Sequence, residues 1–160
     1  QYIDTVELSK QEWEKIKKPF RRKPKTAQQE REKIATAIGT FEQIIGAKTG
    51  SEEDIHGTFI QTGTYQLDCV DESVNTTMYI AALQNKDLIK FHDLHPPEGR
   101  VPIIHAGRWP HQAALIEEKD TEKSTENYYI VDSWFHDNGA PAEIIPLKQW
   151  KDGWKPENKE

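Results

Sequence analysis

What most constrains the fold is a change of period in the chain. In the first half, apolar residues recur at helical spacing, Ile34, Ile38, Phe41 and Ile45 in one run and Val70, Val74, Met78 and Ala81/Ala82 in the next. Beyond Pro96-Pro97 they gather instead into short runs, at residues 101–105, 111–118, 128–135 and 143–147. Polar or turn-forming residues separate these runs. Helices first and an antiparallel sheet afterwards define an α+β domain, with a cysteine-bearing helix packed on a C-terminal sheet.

Start and stop signals divide the chain further. Ser9 with Glu12 is a capping-box pair and predicts a helix over residues 10–18, ended by Pro19. Residues 17–25 read KKPFRRKPK, with six basic residues and two prolines. Such a segment is either a patch for acidic lipid or nucleic acid, or a solvated basic linker; prolines that break a basic helix favour the linker. Residues 1–25 are thus read as an N-terminal helix and linker, and 26–160 as a single domain. Thr26 repeats the capping pattern with Gln29, and Gly46 is the expected stop of the second helix. Residues 49–66 are rich in Gly, Thr, Ser and acids and read as a long irregular approach. Asp68 then caps a helix that ends near Gln84-Asn85. Residues 87–94 are expected to add a helical turn or two before Pro96-Pro97. Residues 119–127 suit a hairpin loop, and Asp137-Asn138-Gly139 a tight turn.

Composition removes several classes of function. At 160 residues with a net charge of −6, the chain gives no reason to expect nucleic-acid binding by the whole domain. No apolar run approaches the ~20 residues of a membrane-spanning helix. The chain starts at Gln1 without methionine, so loss of an upstream segment is expected. A signal peptide there would make the protein periplasmic or secreted; otherwise it would be cytoplasmic. A single cysteine, Cys69, excludes an intrachain disulfide and a cysteine-rich zinc site.

Cys69 falls at the first position of its predicted helix. Unpaired backbone N–H groups and the positive end of the dipole favour a thiolate there, while Asp68, Asp71 and Glu72 oppose it. Alone, such a cysteine is more often a small buried hydrophobe than a nucleophile. A histidine would decide the matter. His111 opens one arm of the predicted hairpin and Asp132 lies near the end of the other, so antiparallel pairing can set them on one face. That gives a thiol, a base and an orienting carboxylate. Trp109 and Trp134 flank the base and the acid and are candidate cleft walls.

The segments DCVDESVNTTMYIAAL, PHQAALIE and YYIVDSWF, with the order Cys–His–Asp, resemble bacterial transglutaminase-like cysteine peptidases of the papain-like superfamily. The resemblance covers roughly the last two-thirds of the domain; the N-terminal helices have no counterpart in it. It implies a cysteine hydrolase or acyltransferase working on an amide bond of a protein or peptide substrate without a cofactor. It assigns Cys69 as nucleophile, His111 as base and Asp132 as orienter. An oxyanion hole would come from the Cys69 N–H and an upstream side chain, for which Gln66, Tyr65 and Gln61 are candidates.

Two other readings compete. His92, His95, Asp93, His105, Asp132 and His136 include the donor types of a divalent-metal site, although Pro96 biases His95 away from a helix shared with His92. A domain of this fold can also be a binding module without chemistry.

Overall fold

A computed structural model of the chain describes residues 6–50, 69–100, 111–119 and 124–156. In order they form α1 (Lys10–Lys17), α2 (Ala27–Thr49), α3 (Cys69–Asn85), β1 (His92–Arg100), β2 (His111–Glu118), β3 (Tyr128–Asp132), β4 (Glu143–Pro146) and α4 (Leu147–Lys151). The four strands make one antiparallel sheet in the order β1-β2-β3-β4. The class is α+β, as the period change predicts. The expected irregular approach to Cys69, apart from Thr49 and Gly50, and the expected strand at 101–105 lie outside the described residues.

The helix starts follow their caps. Ser9 Oγ accepts from the Glu12 N–H at 3.3 Å while Glu12 Oε2 accepts from the Ser9 N–H at 2.7 Å, closing the capping box of α1. Thr26 Oγ1 accepts from the Gln29 N–H at 3.2 Å at the start of α2. α1 stops at Lys17, just before Pro19 as expected, and Pro19 falls in a following 3-10 turn at Lys18–Arg21, near whose start its missing N–H matters least. That turn buries Phe20, which joins Ile16 of α1 in the same core as α2. The stop of α2 differs from expectation. Gly46 lies buried within α2, and Gly50 is the true cap, with φ 81° and its N–H donating to the Gly46 carbonyl at 2.8 Å.

Both faces of the sheet are covered. On one, Ile34, Ala37, Ile38 and Phe41 of α2 and Ile80 and Leu83 of α3 meet Ala114, Ile116 and Val131. On the other, Ala113, Leu115, Ile130 and Ile145 meet Trp150 of α4. Fully burying a residue of the Ile or Phe kind contributes about 1.5–3 kcal/mol, so the α2 stripe is a main source of stability. Where α2 passes the turn after β3 the backbones touch: a Cβ on Gly39 would lie 2.5 Å from the Ala140 carbonyl oxygen. The Asp137-Asn138-Gly139 turn forms as read, with Gly139 at φ 91°.

Two elements depart further from the pattern. α3 turns its expected stripe outward: Val70, Val74 and Met78 are 46%, 44% and 64% exposed. Its buried positions are Ser73, Thr76, Ile80 and Leu83, and Thr76 Oγ1 is satisfied by Ser133 Oγ at 3.2 Å. Spacing identifies the helix, but tertiary polar contacts choose the face. Residues 92–94 are strand, not an added helical turn. His92–Arg100 is an edge strand whose register shifts between His95 and Glu98, around Pro96-Pro97. Prolines lack a ladder donor, so they are tolerated at such an irregular edge. β3 ends at Asp132, earlier than the expected Phe135, and the last strand gives way to α4 at Leu147.

A buried carboxylate joins α2 to the start of β1. Glu30, 0% exposed, accepts from the Lys90 N–H at 2.7 Å, the Phe91 N–H at 2.9 Å and His92 Nδ1 at 2.9 Å. Arg31 Nη1 lies 3.1 Å from His92 Nε2, and since a guanidinium only donates, Nε2 accepts and His92 is neutral with its proton on Nδ1. Glu30→Ala should therefore strand three donors and lower stability by about 3 kcal/mol or more, read from urea unfolding. At the surface, Lys48 bonds Glu12 at 2.9 Å, and with the Ser9 N–H it holds that carboxyl down, from 4.5 to about 2. A depressed carboxyl stabilises above its unfolded value and loses that contribution as pH falls. Glu12→Gln should thus lower stability at neutral pH but not near pH 2, flattening the acid limb of a stability–pH curve between about 4.5 and 2.

Candidate active site

The site is built where β2 begins and β3 ends. β2 pairs with β3 so that Ala114 faces Val131, which sets Ala113 opposite Asp132 and His111 one alternate position along the same face. His111 Nε2 lies 2.8 Å from Asp132 Oδ2, and each side chain is 2% exposed. The hairpin thus brings together the base and the acid expected from sequence.

Asp132 is held by more than the histidine. Trp150 Nε1–H donates to the same Oδ2 at 2.9 Å, and the Trp134 N–H donates to Oδ1 at 3.3 Å. Both oxygens accept, the pattern of a carboxylate, and with Asp132 in that form His111 Nε2 is the donor. The other ring nitrogen, Nδ1, is buried and has no hydrogen-bond partner among the described residues. In neutral His111 it carries the lone pair, so the orphan atom is the one able to take a proton. The imidazole sits among Trp134, Phe135 and Trp150, with ring centroids at 4.9, 5.5 and 5.7 Å. These rings exclude water and fix the imidazole plane.

Cys69 is the first residue of α3, as expected; its side chain lies outside the described residues. By register, His111 and Asp132 belong to the sheet face carrying Ala113 and Trp150, whereas the body of α3 packs on the other face through Ile80 and Leu83. The N-terminal turns of α3 nevertheless reach the strand end. Glu72, Ser73 and Thr76 share a narrow crevice with Ala113, Asp132 and Ser133, too tight to hold a water. The Thr76–Ser133 bond closes its side.

The remaining expectations are met unevenly. Trp134 is a wall of the imidazole pocket, 9% exposed. Gln66, Tyr65, Gln61, Trp109 and His105 lie outside the described residues. The metal donors disperse: His92 binds Glu30, His95 bonds Glu117 at 2.8 Å and His136 bonds Glu143 at 2.8 Å. No group of three or more His, Cys, Asp or Glu that could hold a metal occurs among the described residues. Sequence reading missed Trp150, whose only signal was the apolar Leu147/Trp150/Trp154 spacing after the last strand.

Asp132→Asn tests the geometry directly. An amide has one acceptor oxygen, so with its oxygen toward His111 and Trp150 its NH2 faces the Trp134 N–H. Thermal or urea unfolding should show a loss of about 1–3 kcal/mol, more than an exposed Asp→Asn change would produce.

No family model, curated protein or solved structure matches this chain.

Proposed function

We propose that the protein is a cysteine-dependent hydrolase or acyltransferase acting on an amide bond of a protein or peptide. The observation that supports this best is the setting of His111: one ring nitrogen is held by a doubly anchored Asp132, and the other is buried with no partner among the described residues. An oriented imidazole with a free lone pair is what a thiol nucleophile needs. The first turns of α3 meet the same strand end through Glu72, Ser73 and Thr76, which supports the choice of Cys69, at the start of that helix, as the thiol.

In the reaction, His111 Nδ1 takes the Cys69 proton and the Sγ lone pair attacks the amide carbonyl carbon. The Cys69 N–H, at a helix start, stabilises the oxyanion together with an upstream side chain; one such donor contributes about 10²–10³ in rate. Collapse breaks the C–N bond, His111 returns the proton to the leaving amine, and a thioester remains. Water then releases an acid, or a second amine forms a new amide. Asp132 keeps the proton on Nε2 throughout the resting state and stabilises the transient imidazolium.

A second reading has its own ground. Both dyad side chains are almost fully buried, as in a structural pair within a non-catalytic binding module. Alkylation of Cys69 by iodoacetamide across pH 4–10 separates the two. An unpaired thiol follows one titration near ~8.5. Under the catalytic reading, labelling is fast well below that pH and slows at least tenfold in His111→Ala, while Cys69→Ala abolishes turnover of any amide substrate found. A profile indifferent to His111 would overturn it.

A further inference from the structure

We propose that Trp150 is a positioning residue for His111, acting through Asp132 and held in place by Arg100; its catalytic meaning rests on the function proposed above. A carboxylate rotates easily about its last torsion, which has broad, two-fold wells. Alone, a histidine N–H would leave Asp132 free to pivot. Here the Trp150 indole N–H fixes Oδ2 and the Trp134 backbone N–H fixes Oδ1, so the oxygen presented to His111 has one position.

The fold secures the indole in turn. α4, at five residues, is too short to stand by itself. Arg100 Nη1 donates to the Trp150 carbonyl at 2.7 Å and to the Trp154 carbonyl at 3.0 Å, and its guanidinium lies 4.6 Å from the Trp150 ring centre. Lys151 adds an ion pair to Glu98 at 2.6 Å. Both ties run from α4 to β1. Arg100 is also the cross-strand partner of His111, so the residue that holds the indole is in register with the imidazole. Trp150 itself is 0% exposed and bridges the apolar cluster of this face to the dyad. Burial alone would be served by any large apolar ring; the polar edge turned onto Oδ2 is what a positioning role requires.

The test uses the whole chain labelled with ¹⁵N in tryptophan and histidine. As His111 gains or loses its Nδ1 proton, charge on Asp132 Oδ2 is redistributed, and the Trp150 indole N–H should shift with the same midpoint as the His111 ring nitrogens. Trp150→Phe keeps an aromatic ring but removes the donor. It should slow Cys69 alkylation about tenfold and move its pH profile, since a loosened Asp132 no longer holds one imidazole orientation. An indole resonance that stays flat through the His111 titration would overturn the proposal, and it needs no variant to fold. So would a folded Trp150→Phe protein with an unchanged alkylation profile where His111→Ala changes that profile. The two readings fail separately: indole–imidazole coupling with alkylation indifferent to His111→Ala would retain the positioning of His111 and remove the cysteine chemistry.

Discussion

Everything in this domain is arranged around a strand buried on both faces. β2 carries Ala113 and Leu115 toward Trp150 and Ala114 and Ile116 toward the helices, so its middle holds no polar side chain. Polar groups are confined to its ends, where burial obliges each to find a partner. At the far end Glu118 binds Arg31 at 2.7 Å and Glu117 binds His95. At the near end His111 binds Asp132. The sheet thus has an inert centre and two polar poles, one tied to α2 and the other to α4.

That arrangement explains what could be read from the residues alone. β2 has the bounds expected of it: a short apolar run closed by polar residues at both ends. The pairing of β2 with β3 follows from two apolar runs joined by a polar loop, and with it the His111–Asp132 contact. The first helices were legible through their caps. β1 was not, because HDLHPPEGR has neither a period nor β-formers. It is a strand because β2 needs an edge partner, a demand set by the sheet and not by its own residues. The buried face of α3 departs from its apolar stripe for a similar reason. Ser73 and Thr76 look like surface residues until Ser133 supplies the hydroxyl that makes burial of Thr76 affordable. Trp150 was invisible because its partner is a carboxylate 18 positions away.

Two buried histidines, one at each pole, differ in how their ring nitrogens are held. His92 and His111 are both buried and both bonded to a buried carboxylate, at 2.9 and 2.8 Å. At His92 the second nitrogen is occupied: Arg31 donates to Nε2, and the same guanidinium covers the Tyr129 ring at 3.9 Å and binds Glu118. Both ring nitrogens of His92 are thus partnered. It is a clamp. At His111 the second nitrogen has no partner among the described residues, although an unsatisfied buried polar atom costs about 1–3 kcal/mol. The two histidines therefore differ in one atom: under the proposed function, the His111 Nδ1 that has no partner among the described residues is where a thiol from the start of α3 would bind.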